Sequence, residues 1–300
     1  MGRRQAHAVS LSGYKINAPA RLDSIARIGD TDSHIDGIRI GTMATQTAIE
    51  WTEQTWNPTT GCNKISPGCK HCYAEVMANR LQTMGTRGYE NGFALSLMKE
   101  RLEQPLRRKK PTLYFVNSMS DLFHEGIPTA FLDEVFEVID NTPRHTYQIL
   151  TKRSVLMRDY FAGRTPPANA WLGVSVEDQA HGIPRIDDLR AVNATIRFLS
   201  VEPLLEDLGP IDLSGIHWVI VGGESGPKAR PMQGEWVERI HRQCQQAETA
   251  FFFKQWGGWG ADGRRRAKKA NGRLFKGRLW NERPTLRRDP AGSLVVGSKP

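Results

Sequence analysis

The sequence predicts an α/β fold, with a mostly parallel sheet covered by helices and wound toward a barrel. Three observations predict it. Short apolar, β-prone runs recur at intervals of roughly 20 to 45 residues, the spacing of β-α units rather than of hairpins. Amphipathic helical stretches stand between some of those runs. Nearly every run also ends in a polar residue capable of binding or catalysis, and in parallel sheets ligands gather beyond the carboxyl ends of the strands.

The elements follow in order. Residues 1–46 carry no useful periodicity and read as a disordered extension, with Met43 expected as the natural start of translation. Residues 47–259 form the predicted folded body. Within them residues 56–73 make an irregular loop, and residues 74–82 look helical. The predicted strands are Leu113–Asn117, Tyr147–Thr151, Trp171–Val176, Ile196–Val201, His217–Val221 and Ala250–Gln255. Helical spacing of Phe131, Leu132, Val135, Phe136 and Ile139 predicts a helix over Phe131–Asn141. Trp236, Val237, Ile240 and Cys244 do the same for Glu235–Ala247. Residues 260–300 read as a basic C-terminal tail.

Composition bounds the function. The 300 residues are 39% hydrophobic and 24% charged, which suits a soluble chain of one large domain or two small ones. There is neither an apolar run of about 18 residues nor a secretory signal, so no membrane partner is expected and the cytoplasm is. Residues 260–288 hold eleven Lys or Arg against two acids, Asp262 and Glu282, and so carry the whole net charge of +9. Aromatics interleave with those cations, a pattern that can stack bases and pair phosphates. Arg264, Arg265, Arg266, Lys268 and Lys269 are the candidate nucleic-acid contacts, DNA or RNA; a solvated tail is the alternative.

Three of the four cysteines fall within eleven residues, in WNPTTGCNKISPGCKHCY. The C-x6-C-x2-C spacing argues for ligation rather than a disulfide framework. Pro58, Gly61, Pro67 and Gly68 make a tight loop that can turn Cys62, Cys69 and Cys72 toward one point. Cys72 lies near a helix start, whose partial positive charge favours thiolate. Three thiolates are one short of a closed zinc site, for which His71 is the remaining candidate ligand, whereas an iron–sulfur cluster so held keeps one iron open. Cys244 sits on an apolar helical stripe and reads as core. A zinc deaminase is excluded, because no His-x-Glu exists anywhere in the chain.

A three-cysteine loop ahead of repeated β/α units resembles the radical S-adenosylmethionine superfamily. The usual spacing there is C-x3-C-x2-C; here the first gap is six residues, and His71 stands where an aromatic is common. The blocks FVNSMSDLFHEGIP, ILTKR, LGVSVEDQ, RFLSVEPLLEDLG and VGGESGPKARPM, with the cysteine block, look like the hallmarks of a phage-associated family over roughly residues 47–284. LTKRSVLMRD resembles the spore photoproduct lyase branch of the radical enzymes. The resemblance implies a partial (β/α)6, TIM-like barrel of radical type, carrying a [4Fe–4S] cluster on Cys62, Cys69 and Cys72 and S-adenosylmethionine on the open iron. It implies Ser118, Ser120 and Asp121 near the amino group of that cofactor, Lys152 near its carboxylate, and Ser175 with Glu177 at the ribose. Glu202 and Glu224 would close the far side. The Gly-Gly-Glu at 222–224 looks like the superfamily's amino-group motif but sits on a late strand, so that role is not transferred. No residue is assigned the chemical step. The expected partners are a nucleic-acid substrate, an electron donor such as flavodoxin or ferredoxin, and a protein of the three-Cys-motif type from the same genomic neighbourhood. The alternatives are a radical enzyme acting on a peptide or small molecule, and a zinc-stabilised nucleic-acid-binding phage protein without catalysis.

Overall fold

Seven parallel strands hydrogen-bond in the order in which they occur in the chain: β1 (Gln54–Trp56), β2 (Leu113–Val116), β3 (Thr146–Thr151), β4 (Ala170–Ser175), β5 (Ile196–Val201), β6 (Trp218–Gly222) and β7 (Ala250–Gln255). The computed structural model describes residues 49–288 and 294–299, all within one compact unit. The expectations for residues 1–46, Met43 among them, lie outside the described residues. The six predicted strands are all present within a residue of the expected bounds. The seventh, β1, is three residues long, too short to show a period.

The longer helices are α1 (Tyr73–Thr83), α2 (Thr129–Asp140), α3 (Ser154–Tyr160), α4 (Gly182–Arg190) and α5 (Gly234–Gln246). Strand alternation assigns each side chain a face. Tyr114, Val116, Ile149, Leu172, Val174, Leu199, Val219, Val221, Phe251 and Phe253 pack with Val135 and Ile139 of α2, Met157 of α3, Ile186 and Leu189 of α4, and Val237 and Ile240 of α5. Between β5 and β6 no helix forms. Leu204, Leu208, Leu213 and Ile216 of the irregular segment fill that cover instead. Strands in sequential order with their crossovers on one face give barrel winding, not the doubly wound form, which covers both faces. The sheet is a half-barrel.

The opposite, inner face has a floor of large rings. Trp51, Phe115, Trp171, Phe198, Trp218 and Phe252 pack with Ile196, Ile220 and Ala250, and no residue of a covering helix joins them. Gly173 makes room for this floor, since a Cβ there would stand 2.5 Å from the Phe198 ring. Gly173→Ala is therefore expected to destabilise the fold by about 1–3 kcal/mol through overpacking, read as a lower denaturant midpoint. Following the same alternation toward the carboxyl ends, the inner face turns polar at Ser175, Ser200 and Lys254. The apolar floor thus ends below a polar mouth.

Among the described residues no helix is long and apolar enough to cross a membrane.

Candidate active site

The cysteine loop lies across that mouth, and its own sequence explains how. Gly61 takes φ +79°, and a Cβ there would stand 2.1 Å from the Ala94 carbonyl oxygen, so only glycine fits. Its N–H donates to the Met119 carbonyl at 3.0 Å, and its carbonyl accepts from Ser120 Oγ at 2.6 Å, which fixes Cys62 just beyond the end of β2. A 3-10 turn over Pro67–Cys69 places Cys69, with Ser66 Oγ and Cys69 Sγ 3.7 Å apart. Cys72 is the N-cap of α1, as its position before residues 74–82 predicted. All three thiols are free and half-buried.

Four further ties join this loop to separate parts of the mouth. After β3, Arg153 donates to Cys62 Sγ at 3.4 Å and to Asn63 Oδ1. After β4, Glu177 accepts from Ser66 Oγ. Beyond β6, Arg230 donates to the Pro67 carbonyl at 3.0 Å. After β2, the Ser118 carbonyl accepts from the hydroxyl of Tyr73. A loop of glycines and prolines has little cohesion of its own, and these contacts give it one conformation.

The electrostatics follow from burial and pairing. Burial, and then the Asp121 carboxylate, push the Cys62 thiol up to about 11, against the lowering effect of Arg153. A ligand that binds thiolate there must therefore displace a proton. The Arg153 hydrogen bond pulls Glu125 down to about 2. Burial alone would raise the Glu177 carboxyl, but Lys152, Arg185 and Ser66 outweigh it and hold it below its ordinary value. Glu224 is likewise lowered, with burial opposed by Arg230.

The residues expected at the cofactor divide into two groups. Lys152 and Ser175 face each other in the mouth, Nζ to Oγ at 2.9 Å. Glu202 meets Lys254 at 2.7 Å and Gln255 at 3.1 Å. Ser118 Oγ donates to Asn57 Oδ1 at 3.1 Å and stays half-exposed beside the loop. Ser118, Lys152, Glu202 and Lys254 are half-buried and open enough to meet a bound molecule, whereas Ser175 and Gln255 are buried beneath them. Ser120, Asp121, Glu177 and Glu224 are instead committed to the protein. Ser120 holds Gly61. Asp121 accepts from Thr151 Oγ1 at 2.6 Å, from the Lys152 N–H at 3.0 Å and from Arg153 at 3.3 Å. Glu177 is fully buried against Arg185 at 2.6 Å. Glu224 takes Arg230 through both oxygens, at 2.6 and 2.9 Å. Their geometry is that of braces.

Sequence reasoning singled out neither Asn63, Ser66, Glu125, Arg185 nor Arg230 as a site residue. A usable signal existed for two of them: Arg185 and Arg230 follow Glu177 and Glu224 by eight and six residues. The donor set suits an iron–sulfur cluster: three free thiols on one braced loop, with a cationic N–H aimed at one sulfur. Among the described residues no three His, Cys, Asp or Glu side chains converge on a single ion.

Beside the mouth stands a basic hairpin. Its base is locked by Gly258 N–H to the Glu224 carbonyl at 2.8 Å and Trp259 Nε1 to the Ala229 carbonyl at 2.7 Å. Arg264, Arg265 and Arg266 are exposed on it, and Lys268 and Lys269 are exposed on the short helix Lys268–Asn271 that follows. Arg266 is paired to Asp262 at 2.5 Å, and Lys268 lies 3.7 Å from Glu50. Within the stretch read as a basic tail, the part up to residue 284 that the resemblance covers folds back onto the barrel. Phe275 and Trp280 are buried in the main core and Trp256 is buried with them, so these rings are not offered to bases. The cations beside them stack on the protein itself, Arg278 over Trp280 at 3.4 Å and Arg273 over Phe252 at 4.9 Å. Residues 272–284 form a strap along β7, with Phe253 N–H bonded to the Trp280 carbonyl at 3.0 Å. Arg283–Arg288 and Leu294–Lys299 pair as antiparallel strands.

A family model described as "Protein of unknown function (DUF5131)" matches residues 46–284. The chain belongs to the DUF5131 family. No curated protein matches it. Among solved structures it is similar to spore photoproduct lyase in complex with the dinucleoside spore photoproduct, at 14% identity and TM-score 0.41 over 70% of this chain. The chain spans 66% of that enzyme's length, slightly under two thirds. It is also similar to a single-site variant of spore photoproduct lyase, at 13% identity and TM-score 0.46, over 73% of this chain and 81% of the other. A further similar structure is a spore photoproduct lyase variant with bound AdoMet and dinucleoside spore photoproduct, at 15% identity and TM-score 0.41 over 70% of this chain and 66% of the other.

Proposed function

We propose that this chain is a radical S-adenosylmethionine enzyme that acts on a nucleic acid or its bases. The observation that carries the reading is the three-cysteine loop tied at separate points across the carboxyl-end mouth of a barrel-wound parallel sheet. Cys62, Cys69 and Cys72 would hold a [4Fe–4S] cluster. Such a cluster, reduced by a donor such as flavodoxin or ferredoxin, supplies one-electron cleavage of the sulfonium of S-adenosylmethionine to a 5′-deoxyadenosyl radical.

The chain's own residues do the rest. Lys152, steadied by Ser175 Oγ, offers a cation for the carboxylate of the bound cofactor. Ser118, Glu202 and Lys254 supply donors and acceptors at the opposite sides of the mouth. The floor of Trp171, Phe198, Trp218 and Phe252 closes the inner face below and keeps water from entering there. The basic hairpin beside Glu224 would guide a phosphate backbone toward the mouth.

The test is anaerobic reconstitution with iron and sulfide, followed by dithionite and S-adenosylmethionine. The reading expects 5′-deoxyadenosine. Intact S-adenosylmethionine in the presence of a full cluster would sink it.

A further inference from the structure

Arg153 is the most heavily engaged side chain near the cysteines. It is only 5% exposed, unusual for an arginine. Its Nε donates to Glu125 Oε2 at 2.6 Å. One terminal nitrogen is shared between Asp121 Oδ2 at 3.3 Å and Cys62 Sγ at 3.4 Å, and the other donates to Asn63 Oδ1. Asn63 Nδ2 in turn donates to Glu125 Oε1 at 2.7 Å. Every nitrogen of the fork is thus assigned, and the guanidinium plane cannot turn away from the sulfur. Two carboxylates are more than is needed to neutralise one arginine placed merely for packing. Asp121 is itself anchored by Thr151 Oγ1 and the Lys152 N–H, so the cation is fixed to the end of β3 and not to the loop alone.

We infer that Arg153 is a positioning residue that sets the reduction potential of the cluster ligated by Cys62, an inference that rests on the radical-enzyme reading above. A charge-assisted N–H···S bond withdraws electron density from the sulfur and stabilises the cluster more after it gains an electron. Hydrogen bonds to the sulfurs, net charge and exposure are the means by which a protein moves such potentials. Arg153 supplies a hydrogen bond and a charge together, from a position shielded from solvent screening. Glu125 opposes it, because its carboxylate lies on the far side of the same guanidinium.

The test is a potentiometric titration of the reconstituted full-length protein, followed by the electron paramagnetic resonance signal of the reduced cluster. Arg153→Gln removes the charge and should lower the potential by about 59 mV, the equivalent of tenfold in a one-electron reduction equilibrium. Glu125→Gln keeps an acceptor for Arg153 Nε but removes a negative charge, so it should move the potential upward by a smaller amount. Opposite shifts in the two variants at wild-type iron content are the expected result. Unchanged potentials, or shifts of the same sign, overturn the inference while leaving the cluster in place. Should Arg153→Gln fail to hold a cluster, Arg153→Lys, which keeps the charge but loses the fixed N–H···S bond, should still lower the potential, and an unchanged potential there overturns the inference. A wild-type protein that takes up no iron and sulfide overturns the radical-enzyme reading itself, and iron analysis detects this before any titration.

Discussion

Glu177→Leu is expected to lower the unfolding free energy by about 3–5 kcal/mol, because it strands Arg185 as a buried, unpaired cation. Glu177 is fully buried and Arg185 is 8% exposed, so water cannot replace the lost partner. The same carboxylate holds Ser66 of the cysteine loop. It also fills the space beside Gly68, where an added Cβ would stand 3.1 Å from Glu177. Loss of Glu177 should therefore loosen the loop as well as the fold. The double variant Glu177→Leu with Arg185→Met removes both charges and should recover most of the loss, as read from denaturant unfolding. A ribose ligand would behave differently: its removal would weaken S-adenosylmethionine binding and leave the unfolding midpoint unmoved.

The second large effect is expected at the basic hairpin. Replacing Arg264, Arg265, Lys268 and Lys269 by alanine should weaken binding to a DNA or RNA oligonucleotide on the order of 100-fold at low salt. The slope of log K against log salt should shrink by up to about 3 to 4 for duplex, since each phosphate contact releases about 0.9 of a counterion. Arg266 is the internal control. It is held by Asp262 at 2.5 Å, and its replacement should change the slope less than that of Arg265. A slope identical in the wild type and the fourfold variant would make the hairpin an ordinary solvated face. The substrate would then be sought among peptides and small molecules.

The strands were legible because they are buried on both faces and read as continuous apolar runs: LYFV, AWLGVS and WVIVG need no partner to be recognised. α3 and α4 were not. Each is short, α3 exposes Val155 and Leu156, and α4 buries the cation Arg185 on its inner side, so neither shows a clean stripe. The cysteines and the polar strand ends were legible by position, and the sheet carries them all to one mouth. What the sequence could not state was which carboxylates remain open. Asp121, Glu177 and Glu224 look like ligands along the chain, yet each is claimed by an arginine that lies outside the strands. The run of charge from 260 to 288 likewise concealed an exposed hairpin, a strap and the strand Arg283–Arg288. The family resemblance, which runs on to residue 284, was the hint of the second.

The most direct test of the radical-enzyme account is iron and acid-labile sulfide per chain after anaerobic reconstitution, measured for the wild type and for Cys62→Ala, Cys69→Ala and Cys72→Ala. The account predicts about four irons and four sulfides per chain in the wild type, with loss of the cluster in each variant and 5′-deoxyadenosine formed only by the wild type. A colourless wild type that holds a single zinc, or a cluster that survives all three replacements, would contradict it.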